Sequence, residues 1–257
     1  MFKALRIFIL MTILVVVAGN AWLTHQRTTD WNTSLWVRVY PINADGEAAT
    51  GQHIRELSDK DFTSVEQFLA REAKRYGVAT PEVVRIDLGP EIFEQPPEVG
   101  DNPNVFAIMA WSLKMRWWAG SVSDKLEDYT PDVRIFVRYH QPSTHLRLDD
   151  SVGVSKGKFG IVNAYTERRY RESNNVVLAH ELLHTIGASD KYERGSGLPL
   201  PPDGLGEPDR RPLYPQRLAE IMGGRVALSA TQAEMPRSLK EVVVGPATAK
   251  EIGLISD

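Results

Sequence analysis

Between His180 and Asp190 the chain reads HELLHTIGASD, and these residue types at these intervals are those of a metal site. On an α-helix, two histidines four residues apart leave the same face one turn from each other. Their ring nitrogens can then meet at one tetrahedral ion. Glu181 follows the first histidine, roughly 100° further round the helix axis, so it stands beside the ion without having to ligate it. That is the position for a base acting on water at a metal. Gly187 lets the chain turn sharply, because glycine enters positive φ at little cost. Asp190 can then swing back as a third ligand. Three protein ligands with one corner left open are the arrangement of a catalytic zinc rather than a structural one.

The flanks suit a buried helix. Ser173, Asn174 and Asn175 are N-cap candidates, and Val176, Val177, Leu178, Leu182, Leu183 and Ile186 supply apolar faces. Set in such a helix, HELLHTIGASD resembles the zinc signature of the metzincin metalloproteases, HExxHxxGxxH, with Asp190 where most members carry histidine. The snapalysin type similarly uses aspartate there. Met222 in AEIMGG resembles the methionine-containing turn that the family places beneath its metal. The likeness is close over the zinc helix and this turn; elsewhere it extends only to the order of elements. It implies a Zn2+ ion held by His180, His184 and Asp190, with Glu181 as general base. Two departures follow. Astacin and serralysin kinds place a tyrosine two residues after the turn methionine, where this chain has Gly224. Aspartate in place of histidine also lowers the charge of the ligand set, making the ion a weaker Lewis acid. Glu193 and Glu220 are rival third ligands.

Upstream, Leu35 to Ile42 alternates as a strand, with Leu35, Val37 and Val39 on one face. Asn43 to Gly51 reads as a loop. Ser58 caps a helix reaching about Tyr76, with Phe62, Val65, Phe68, Leu69 and Ala73 at helical spacing and Gly77 closing it. Strands are expected over Val83–Leu88, Val133–Tyr139 and Lys158–Tyr165, and a helix over Asn104–Trp118. The last strand contains FGIVNA. In metzincins the strand before the zinc helix lies at a sheet edge, so Gly160, Ile161, Val162, Asn163 and Ala164 are expected to bind substrate backbone by β-pairing. Gly195 to Pro215 holds six prolines and four glycines in twenty-one residues, which excludes regular structure. Its acids Asp203, Glu207 and Asp209 lack the spacing of a calcium loop and read as solvated surface. His140 and His145 read as loop histidines. Trp111, Trp117 and Trp118 read as packing residues, with interfacial docking as the alternative. Pro246 to Ile252 reads as a short helix with proline in its first turn.

The expected fold is therefore α+β: a metzincin-like two-lobed domain over residues 34–257, with a mixed sheet and helices to about residue 187 and an irregular lower lobe from 188. Residues 25–33 form a linker. In the first 24 residues, Lys3 and Arg6 precede an uncharged stretch from Ile7 to Leu23, read as a transmembrane signal anchor or a cleavable signal peptide. The domain would then lie on the outer side of the membrane, or be secreted.

Composition removes other classes. The chain has 257 residues, no cysteine and a net charge of −3. Disulfides and thiol catalysis are thereby excluded, and the mild net charge indicates neither a nucleic-acid partner nor an electrostatic membrane clamp. Zinc-dependent hydrolysis of peptide bonds in a peptide or protein substrate is the leading expectation. A zinc amidase or carboxypeptidase acting on cell-wall peptides, and a non-catalytic anchored binding protein, are the alternatives.

Overall fold

The computed structural model describes residues 29–98, 104–123, 130–143, 151–154 and 158–255, with scattered residues before 29. Strand β1 (Leu35–Asn43) is followed by α1 (Ala48–Glu56), α2 (Thr63–Arg75), β2 (Val84–Leu88), α3 (Val105–Ser123), β3 (Val133–His140), β4 (Val152–Val154), β5 (Phe159–Tyr165) and α4 (Arg171–Ile186). Four two-residue strands, β6 (Ala219–Glu220), β7 (Val226–Ala227), β8 (Ala233–Glu234) and β9 (Val242–Val243), precede α5 (Pro246–Glu251).

The main sheet has the order β2-β1-β3-β5-β4. Its first four strands are mutually parallel and only β4 runs antiparallel, against β5. Parallel sheets need cover on both faces, and the side chains show it. Val37, Val39, Ile135 and Val137 point into one core with α2 and α4. Tyr40, Ile42, Phe136 and Phe159 point into a second core with Met115, Trp118, Ala119 and Val122 of α3. The molecule is thus a mixed α/β structure built on a largely parallel sheet. The expectation of an α+β fold carrying a transmembrane helix is overturned. Burial of both faces of β1 and β3 is the physical reason for the parallel arrangement.

The membrane expectation is not met among the described residues. Among the described residues no helix is long and apolar enough to cross a membrane, so the single-pass anchor is not supported. Most of the Ile7–Leu23 stretch lies outside the described residues. Helix α3 is long, but it carries Lys114 and Arg116 and commits one face to the sheet.

Two further expectations are corrected. The stretch Asn43–Gly51 contains the start of α1. Strand β5 is interior: Phe159, Gly160 and Ile161 pair with Val154, Gly153 and Val152 of β4, and the Asn163 N–H donates to Ser151 Oγ at 3.0 Å. Gly160–Ala164 therefore does not offer the open edge expected of it; β4 stands at that side of the sheet. The other strands fall within a residue or two of their expected bounds. Ser58 does cap, forming a capping box with Asp61 ahead of a short 3₁₀ turn that leads into α2.

The two faces of α3 give a direct contrast. Trp118→Ala, from the buried face, should cost roughly 3–5 kcal/mol. Trp117→Ala, from the exposed face, should change stability by less than about 0.5 kcal/mol. Urea unfolding of the two variants checks the pair, and equal losses would contradict the packing.

Candidate metal centre

Helix α4 carries His180 and His184 in its last two turns and ends at Gly187, whose φ is +119°. There the Gly187 N–H donates to the His184 carbonyl and the Ala188 N–H to the Leu183 carbonyl, a left-handed helix stop that only glycine adopts cheaply. The reversal brings Asp190 back over the helix. His184 Nε2 lies 3.0 Å from His180 Nε2 and 2.9 Å from Asp190 Oδ1, with His180 Nε2 at 3.4 Å from the same oxygen. Among the described residues, these three form the one group of His, Cys, Asp or Glu side chains close enough to hold a metal ion.

Backbone oxygens fix the tautomers. His180 Nδ1 lies 2.8 Å from the Ile221 carbonyl oxygen and His184 Nδ1 lies 2.8 Å from that of Ala188. A carbonyl only accepts, so each Nδ1 must be the donor, and each neutral ring presents a lone pair at Nε2. Asp190 Oδ1 is buried and faces both Nε2 atoms. Three electron-rich atoms therefore face a common point, an arrangement that repels itself until a positive charge lies between them. A tetrahedral ion at about 2.0–2.1 Å from each ligand atom would set neighbouring ligand atoms roughly 3.3 Å apart. The observed separations bracket that value, so the donor set fits a metal ion.

The electrostatics agree. The imidazoles of His180 and then His184 hold the Asp190 carboxyl well below the usual carboxylate range. Burial, the largest influence on His184, acts to lower its pKa, but Asp190, the Ala188 carbonyl and Glu181 together raise it above the ordinary histidine value. The pocket favours positive charge. Side-chain exposures of 13% for His180, 18% for His184 and 23% for Asp190 leave it open to a ligand from solvent. Glu181 is buried at 5% exposure, one residue beyond His180.

The turn at Met222 is held from below. Glu220, fully buried, accepts from the Met222 and Gly223 N–H groups with one oxygen and from the Gly245 N–H and Thr248 Oγ1 with the other, at 2.6–3.0 Å. Met222 is fully buried, and its carbonyl accepts from the Lys191 N–H at 2.9 Å. Gly223 is required here: a Cβ on it would collide with the Gly204 carbonyl. Lys191, mostly buried, bonds Glu251 at 2.7 Å, and Glu251 also accepts from the Ser189 N–H and Oγ. Asp190 thus sits between two residues tied to α5.

These bonds decide between the rival carboxylates. Glu220 is occupied by four donors inside the turn. Glu193 is exposed and accepts from Ser196 Oγ at 2.5 Å. Neither joins the ligand group. Ser173, Asn174 and Asn175 do not cap α4, which begins at Arg171; Asn174 bonds the backbone of Tyr165, and Asn175 that of Asp61. His140 is buried beside Asn163 and His145 lies outside the described residues. Asp203, Glu207 and Asp209 form no metal-holding group, and Glu207 accepts instead from the Arg217 N–H.

Tyr192 is the site residue the sequence reading missed. Its ring centroid lies 6.3 Å from that of His180, and a Cβ on Gly224 would touch its Cδ1 at 4.0 Å. A tyrosine two residues beyond the third ligand was the available signal. No family model matches this chain, and no curated protein does.

Glu220→Ala should strand four buried donors and cost roughly 3–5 kcal/mol of stability, read by denaturant melts. A variant that keeps its stability while losing only metal affinity would make Glu220 a ligand and contradict this assignment.

Proposed function

We propose that the chain is a zinc-dependent endopeptidase whose metal is held by His180 Nε2, His184 Nε2 and Asp190 Oδ1. The observation that carries this reading is the convergence of those three atoms, with Glu181 buried one residue beyond His180 and its charge acting on His184. Two nitrogens and one carboxylate oxygen suit zinc, and three protein ligands leave a corner for substrate. The chemistry zinc supplies in such a setting is Lewis acidity toward a carbonyl and toward water.

The protein's part is proton handling and positioning. Glu181 is the general base: its carboxylate takes a proton from the attacking water and returns it to the amine as the peptide bond breaks. The carbonyls of Ile221 and Ala188 keep both imidazoles in the ligating tautomer. Tyr192 walls the site beside His180. Strand β4, packed against α4, has no strand on its outer side among the described residues. An extended peptide adding there would lie along the metal helix.

Glu181→Gln separates the roles. It should lower kcat on an unstructured protein substrate by about 10²–10⁴-fold while zinc content stays stoichiometric, whereas His184→Ala should lose the zinc. Undiminished hydrolysis by Glu181→Gln would remove the base from the mechanism.

A further inference from the structure

Helix α3 is apolar on two opposite faces, and one of them is bare. Met115, Trp118, Ala119 and Val122 lie against the sheet. On the opposite meridian, at intervals of three and four residues, stand Phe106, Met109, Leu113 and Trp117. All four are exposed, Phe106 at 81% and Trp117 at 74%. Lys114 and Arg116, also exposed, flank this stripe on its two sides, each within about 100° of it round the helix. Between Asn102 and Ser123 the sequence has no acidic residue.

Large aromatic and aliphatic side chains framed by cations match the boundary of an anionic bilayer, where rings enter the acyl edge and ammonium and guanidinium groups meet headgroup phosphates. We propose that α3 docks this molecule in the plane of an anionic lipid surface through Phe106, Met109, Leu113 and Trp117. The charges favour lipid over other occupants. A second copy of the chain, related by a two-fold axis, would bring Lys114 and Arg116 towards their own counterparts with no carboxylate on the face to meet them. The apolar N-terminal stretch of this chain brings Lys3 and Arg6, and its first acid is Asp30. The helix lies along the surface rather than across it, because its inner face is already taken by the sheet.

The chain lacks cysteine, so Leu113→Cys in the full chain provides a single attachment point for the environment-sensitive fluorophore NBD. With phosphatidylcholine vesicles rich in phosphatidylglycerol, its emission should shift to the blue and rise several-fold. The response should shrink with pure phosphatidylcholine, with high salt, or when Lys114→Glu and Arg116→Glu are added. The same fluorophore on Leu228→Cys, exposed but off the stripe, should not respond. Vesicle binding without any change at position 113 would overturn the proposal, since another part of the chain would then hold the lipid. A change that needs no vesicles and grows with protein concentration would overturn it in favour of self-association.

Discussion

Two hydrogen bonds from imidazole Nδ1 to backbone carbonyls govern this molecule. By donating to the Ile221 and Ala188 oxygens, His180 and His184 must turn their remaining lone pairs toward each other and toward Asp190. Without those carbonyls, either ring could flip or exchange tautomer, and helical spacing alone would bring the rings together without aiming them. Three such atoms facing one point could hold a cation. The largely parallel sheet and the buried face of α4 serve to hold the ring-bearing turns where the carbonyls can reach them.

Those carbonyls are themselves held by carboxylates that do no chemistry. Glu220 gathers four donors from its own turn and from the start of α5, fixing the peptide that presents the Ile221 oxygen. Glu251, at the other end of α5, grips Ser189 and Lys191 on either side of Asp190. A helix of six residues thereby helps to position both the carbonyls that orient the imidazoles and the Asp190 carboxylate. Burial pushes the Glu220 carboxyl upward, against its hydrogen bonds to the Gly245 N–H and Thr248. Such a group is tolerated in the core because its oxygens have partners on all sides.

How much of this was legible depended on range. The ligand trio could be read directly, because four-residue spacing and a glycine stop are local rules and the relevant contacts span ten residues. The glycine stop already favoured Asp190, but what occupies Glu220 could not be read in full, since two of its four donors are Gly245 and Thr248, far along the chain. The close passage of the Gly204 carbonyl by Gly223 is another contact between distant parts of the chain that AEIMGG does not announce. Sheet order failed for a similar reason. The three residues Val152–Val154 carry too little pattern to announce a strand, so β5 looked like an edge. Helix α1 was hidden by Gly46 and Gly51, which read as loop. In α3, apolar residues on opposite faces cancel any periodic signal, so both its continuation from Trp118 to Ser123 and its bare side were missed.

We propose one metal site formed by these three side chains, with the two imidazoles bound through Nε2. X-ray absorption at the zinc edge, on protein loaded with one equivalent of zinc, tests it most directly. The expected spectrum is that of a four-coordinate ion with two imidazole nitrogens at about 2.0–2.1 Å and the remaining ligands oxygen. A spectrum with fewer than two imidazoles, or protein that takes up no zinc, would contradict it.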